Sequence, residues 1–125
     1  MARSKKQETG ASAEREAEQY LCSQGLTLLQ RNYLHKTGEI DLVMQDQDDL
    51  VFVEVRMRQE TDHASALESI NHDKQSKIIR TAKLYLQEAE LYFKVTARFD
   101  VVTFDPVDGV MTLNWIKNAF GYDGF

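Results

Sequence analysis

The sequence has little of several things, and each scarcity excludes a class. There is one cysteine, Cys22, so no internal disulfide can form, and the chain reads as one for a reducing, cytoplasmic setting. One proline, Pro106, and six glycines exclude Pro-rich and collagen-like architectures. No apolar run approaches the ~18 residues of a membrane span. The opening Met1-Ala2-Arg3-Ser4-Lys5-Lys6 is basic, but no apolar stretch follows it, so it does not read as a secretory leader. Positive charge is in the minority: 15 Lys and Arg against 20 Asp and Glu give a net charge of −5. That balance argues against coating nucleic acid by bulk electrostatics, while leaving a local basic face open. What remains is ordinary for a globular domain, with 42% apolar and 28% charged residues in 125. This length suits one hydrophobic core, so residues 1–9 read as a flexible basic tail and residues 10–125 as a single domain.

Along the chain, Ser12 is a plausible N-cap, Glu14 and Glu16 suit the positive end of a helix, and Ala13, Ala17, Tyr20 and Leu21 form its stripe. Gly25 suits its C-terminal stop. Strands follow over Leu26–Leu34, Glu39–Gln45 and Leu50–Arg58, with Asp46-Gln47-Asp48-Asp49 as the hairpin turn between the last two. Gln59–Ser69 reads as a loop. Helical spacing returns over Ile70–Leu91, with Ile78, Ala82, Tyr85 and Leu86 on one face. Val95–Phe104 is a strand, Asp105–Gly109 a turn, Val110–Leu113 a returning strand, and Asn114 caps a last helix holding Trp115, Ile116 and Phe120. Tyr85, Tyr92, Phe93, Phe99 and Phe104 read as core. The predicted class is α/β, a mixed sheet flanked by helices in the order α-β-β-β-α-β-β-α.

Chemistry concentrates on the hairpin. Side chains alternate along a strand, so Phe52, Glu54 and Arg56 share one face of Val51–Arg56, and Glu39 and Asp41 share a face of the strand before it. A turn centred between Gln47 and Asp48 pairs residues whose numbers sum to 95. Asp41 then faces Glu54, and Glu39 faces Arg56. Two carboxylates directly opposite each other repel, and the pair is tolerated if one is protonated or a cation sits between them. Arg56 compensates in part. A divalent ion that prefers oxygen ligands, Mg²⁺ or Mn²⁺, is the other candidate. The same charges on a solvent-facing hairpin would merely keep it soluble, but Val-Phe-Val before Glu54 and Val after it describe a central strand.

Gly38-Glu39-Ile40-Asp41-Leu42-Val43 with Val51-Phe52-Val53-Glu54-Val55-Arg56 resembles the YraN-like bacterial family of uncharacterised proteins. That family looks like the restriction-endonuclease superfamily, marked by an acid followed by an acid-x-Lys triplet, and in particular like archaeal Holliday-junction resolvases. The resemblance extends through Gly10, Glu14, Ala17, Tyr20-Leu21 and Gly25, then Arg31-Asn32, Lys74-Gln75, Ala82, Leu86, Arg98–Val102 and Asn118-Ala119-Phe120. It implies a three-layer endonuclease-like fold and a metal-dependent nuclease acting on DNA or RNA, branched DNA included. In that reading Asp41 and Glu54 hold Mg²⁺ or Mn²⁺, Glu14 completes the site directly or through water, and Arg56 joins the catalytic set. Lys74, Gln75 and Lys77 contact nucleic acid. Resolvase-like relatives often pair, so a homodimer is implied as well.

The departure is Arg56, where the pattern has Lys. Arginine clamps phosphate but is essentially never deprotonated, so a mechanism in which a neutral lysine takes a proton from water is closed. This leaves two alternatives beside the nuclease: an inactive nucleic-acid-binding module on the same scaffold, and a protein-interaction domain. Lys74, Lys77, Arg80 and Lys83 recur every third residue, as a phosphate-contacting surface or a plain solvated face would. His35, His63 and His72 lack the spacing of a zinc site. Glu18 falls one turn after Glu14 on the same helix side, while Glu16 points away.

Overall fold

The computed structural model describes residues 5–58, 65–92 and 94–121, with side chains from residue 10 on. Helix α1 covers Lys5–Ser23. It begins ahead of the expected Ser12 cap, because the Lys-Lys-Gln-Glu run before Gly10 consists of good helix formers and nothing in it breaks the turn. Its end is as the sequence predicts. Gly25 takes φ +101°, its N–H donates to the Cys22 carbonyl at 3.1 Å, and the Leu26 N–H donates to the Leu21 carbonyl at 3.1 Å. These two bonds satisfy carbonyls that the helix would otherwise leave bare.

Strands β1 (Thr27–His35), β2 (Gly38–Asp46) and β3 (Asp49–Met57) run antiparallel in succession. The β2–β3 register sums to 95, from Asp46↔Asp49 to Leu42↔Val53. A 3₁₀ turn, Leu67–Ser69, leads to helix α2, His72–Glu88. Asn71 caps α2 by accepting the Lys74 N–H at 3.0 Å. The loop expected over Gln59–Ser69 lies outside the described residues at 59–64, as does Phe93. Strand β4 (Thr96–Val107) pairs parallel with β3, and β5 (Val110–Phe120) pairs antiparallel with β4. The sheet order is β1-β2-β3-β4-β5, which makes β3 the central strand.

Two apolar layers sandwich this sheet. Ala13, Ala17 and Leu21 of α1 pack with Leu42, Met44, Val51, Val53, Val102 and Phe104. Ile78, Ala82 and Leu86 of α2 pack with Ile40, Val43, Leu50, Phe52, Phe99 and Val101. Phe52 stacks on Phe99 and meets Tyr85 edge-on. The result is a three-layer α/β fold with a mixed five-stranded sheet. Among the described residues no helix is long and apolar enough to cross a membrane.

The last helix of the sequence reading does not form. Residues 114–120 continue β5, so the order ends in β rather than α. The turn before β5 also contracts to Asp108-Gly109, with Asp105–Val107 extending β4. Leu113 and Trp115, two residues apart, both join the α1-side layer, as on a strand. Beyond them the ladder bulges: Val101 pairs with Ile116 but Phe99 with Phe120. The buried Asp100 fills that bulge, accepting the Trp115 indole N–H at 3.0 Å and the Asn118 N–H at 2.9 Å. Asn118 takes φ +52°, and after it Ala119 and Phe120 turn to the α2-side layer, where Phe120 stacks on Phe99 at 5.0 Å. Arg98 completes the anchorage, donating to Asp100 at 3.0 Å and to Asp46 at 2.9 Å.

Candidate active site: an acidic centre at the end of the hairpin

Strict alternation along β2 fails at one residue. Ile40 packs into the α2-side layer and Leu42 into the α1-side layer, although they are two apart. Asp41 is the corner between them. The ladder to β3 ends at Leu42↔Val53, and beyond it the Asp41 carboxylate accepts the Val55 N–H at 2.8 Å. A side chain thus takes over where the backbone partner is lost.

Around this corner, carboxylates from three elements converge. Glu14 of α1, Glu39 and Asp41 each offer an oxygen within 4.8 Å of the others. Asn32 of β1 joins two of them: its Nδ2 donates to Glu14 Oε2 at 3.0 Å and to Glu39 Oε1 at 2.8 Å. Glu54 flanks Asp41 from β3. Its side chain is buried, Oε2 accepts from Arg56 at 3.4 Å, and Oε1 has no hydrogen-bond partner among the described residues. Beyond Glu54 opens a cavity of about 150 Å³ lined by Gly38, Glu39, Glu54, Arg56, Lys74, Lys77 and Ile78.

Burial dominates the protonation of this centre. It pushes Asp41 up to about 7; the Val55 amide opposes it, the charges of Glu14 and Glu39 add to it, and Arg56 again opposes. Glu54 is raised well above the ordinary carboxylate range, first by burial and then by the Asp41 charge, with Arg56 and the Asp41 amide working against both. Like charges in a dry site drive one another toward the neutral form.

Gly38 shapes the entrance. Its φ is +149°, and a Cβ there would lie 3.4 Å from Thr81 Oγ1. Thr81 donates to the Lys77 carbonyl at 2.8 Å and so receives the Thr37 hydroxyl at 2.6 Å, which ties the β1–β2 turn to α2.

Of the residues singled out from the sequence, Glu14, Asp41, Glu54, Arg56, Lys74 and Lys77 all border this centre or its cavity. Gln75 does not: its Nε2 donates to the Ile70 carbonyl at 3.2 Å and secures the approach to α2. Glu18 is occupied elsewhere, accepting from Arg31 Nε and Nη2 at 2.6 and 2.9 Å, and Glu16 lines a separate hollow with Met57 and Met111. Two participants lie outside the site residues that the sequence predicts. Glu39 carried a signal, sharing a strand with Asp41, but Asn32 reaches the site only through the β1–β2 pairing.

The fold and centre define a class: a three-layer α/β protein with clustered carboxylates where its central hairpin splays. The chain belongs to the UPF0102 family, whose model, described as "Uncharacterised protein family UPF0102", matches residues 13–104. It is similar to UPF0102 proteins from Stutzerimonas stutzeri, at 48% identity over 94% of this chain and 98% of that one. The UPF0102 protein of Pseudomonas syringae pv. syringae is 46% identical over 96% of this chain and 98% of the relative. That of Saccharophagus degradans is 47% identical over 93% and 95% respectively.

Proposed function

We propose that this protein is a metal-dependent nuclease that hydrolyses phosphodiester bonds in DNA or RNA, branched DNA included. One observation carries the reading: Asp41 stands between Glu14 and a buried Glu54 whose Oε1 lacks a partner among the described residues, beside a cavity lined by Arg56, Lys74 and Lys77. The donor set fits a hard divalent cation, because every converging group is a carboxylate oxygen and an orphaned buried oxygen is the kind of atom an ion would satisfy. Asp41 and Glu54 would hold Mg²⁺ or Mn²⁺, with Glu14 completing the set directly or through water. When bound, such an ion supplies charge to the scissile phosphate and acidifies a water molecule.

The chain's own residues do the rest. Arg56, pointing into the cavity beside Glu54, is permanently charged and suited to gripping a phosphate oxygen. Lys74 and Lys77 supply positive charge along the cavity's α2 wall, concentrating it locally in a chain of net charge −5. Arg56 takes no proton, so the attacking water loses its proton to a carboxylate or to solvent. Glu14, whose Oε2 is held by Asn32, offers Oε1 to accept it.

Cleavage assays on single-stranded, duplex, flap and four-way DNA and on RNA, with Mg²⁺ or Mn²⁺, test the reading. The expected result is cleavage that Asp41→Asn abolishes while the circular dichroism spectrum is unchanged. Absence of cleavage on all of them overturns it. Arg56 favours a second reading, a non-catalytic nucleic-acid-binding module, whose signature is salt-sensitive binding without metal-dependent turnover.

A further inference from the structure

Resting on the metal-dependent reading above, we propose that Glu39 is a further carboxylate ligand of the centre and that Asn32 is the positioning residue that holds it there.

The geometry that points to this is the composition of the converging triad. The oxygens that meet within 4.8 Å belong to Glu14, Glu39 and Asp41, whereas the acid-x-basic pattern of the hairpin nominates Asp41 and Glu54. Glu39 also lines the cavity that Glu54 faces, and there Glu54 Oε1 is buried, 4% exposed as a residue, with no hydrogen-bond partner among the described residues. Glu39 therefore belongs to both halves of the site: the carboxylate triad and the space beside the orphaned oxygen.

Three carboxylates do not gather without something to hold them. Asn32 does so with a single NH₂ group, spending one proton on Glu14 and the other on Glu39, from α1 and β2 respectively. The bonds engage Glu14 Oε2 and Glu39 Oε1, so the second oxygen of each carboxylate is the one that would face an ion. In the β1–β2 register, Arg31 pairs with Leu42 and Tyr33 with Ile40, so Asn32 occupies the slot across from Asp41. Its backbone is left-handed, with φ +50°, a conformation that asparagine tolerates better than other residues with a Cβ. An aspartate would fit that backbone but would bring a fourth negative charge and no donor. Hydrogen bonds of this kind orient ligands and, when removed, typically weaken metal binding 10–100-fold.

Calorimetric titration of Mn²⁺ into the full chain tests this, using wild type, Asn32→Gly, Glu39→Gln, the double variant and Asp41→Asn. Glycine keeps the left-handed backbone and removes only the amide; Glu39 is exposed, so its glutamine variant folds even if Asn32→Gly does not. The expected result is Mn²⁺ affinity lowered at least about tenfold by each single substitution. The double variant should be no worse than the weaker single one, because the two residues act as one unit. A purely structural role for Asn32 would lower the metal-free melting temperature and leave the Mn²⁺ affinity and this non-additivity unmoved. Wild-type affinity in Glu39→Gln and Asn32→Gly alongside loss in Asp41→Asn overturns this proposal and leaves the metal-dependent reading standing. No Mn²⁺ binding by wild type overturns both.

Discussion

The Asp41 carboxylate accepts the Val55 N–H at 2.8 Å, replacing a ladder bond at the point where β2 and β3 part. The same oxygen set is thus asked to hold the hairpin together and to face the acidic centre. The two duties separate by substitution at pH 5, where the group, raised to about 7, is protonated. Asp41→Asn retains an acceptor for Val55 and should unfold in urea at nearly the wild-type midpoint. Asp41→Ala leaves a buried N–H unpaired and should lose about 1–3 kcal/mol. Equal midpoints for the two variants would show that the bond contributes nothing.

Stability should depend on pH with a sign opposite to that of a paired carboxylate. Asp41 and Glu54 are both raised in the folded chain, so the fold keeps protons that the unfolded chain releases above pH ~4. Asp41's contribution is full below that pH and is lost as pH climbs through about 7, and Glu54's is lost in the same direction. Relative to an Asp41→Asn, Glu54→Gln double variant, metal-free wild type should lose on the order of 2 kcal/mol between pH 5 and pH 8. Denaturation curves at the two pH values measure the difference. A divalent ion that displaces these protons should stabilise more at pH 8 than at pH 6.

Asp100 should be the costliest side chain to remove outside the apolar core. It is wholly buried and holds Trp115, Asn118 and Arg98. Asp100→Ala leaves two neutral donors and part of a guanidinium unpaired, for an expected loss of about 3 kcal/mol or more. The chain has a single tryptophan, so Trp115 fluorescence reports the release of β5 directly, as a red shift ahead of global unfolding.

Gly38→Ala should strain the entrance to the site. At φ +149° a Cβ is disfavoured, and its nearest neighbour would be Thr81 Oγ1 at 3.4 Å. The expected cost is about 1–2 kcal/mol in urea denaturation. Gly25→Ala probes a left-handed position with no neighbour near its Cβ, and it should cost less than Gly38→Ala.

Local rules carried the reading of this sequence where contacts are local. The turn residues between Asp46 and Asp49 set the hairpin register, which holds from Asp46↔Asp49 to Leu42↔Val53 but stops short of the expected Asp41–Glu54 and Glu39–Arg56 pairs. Val-Phe-Val-Glu identifies a strand buried on both faces. The stripe of Ile78, Ala82 and Leu86 also packs as its spacing predicts. What stayed hidden depends on partners distant along the chain. The strand at Trp115 looks helical until Asp100 is known to receive its indole and the Asn118 amide. Gln75 looks available until the Ile70 carbonyl claims it. Asn32 carries the family resemblance but no sign of a site role until β1 brings it across from Asp41. Even the corner at Asp41 escapes a rule of strict alternation, because Ile40 and Leu42 turn to opposite layers where the β2–β3 ladder is interrupted, and that interruption depends on the partner strand.

That corner has a mechanical consequence. Residues 40 and 42 are rooted in separate hydrophobic layers, so whatever steadies the residue between them braces both helices at once. Ligation at Asp41 should therefore slow amide exchange in α1 and α2 together, although each rests on its own side of the sheet.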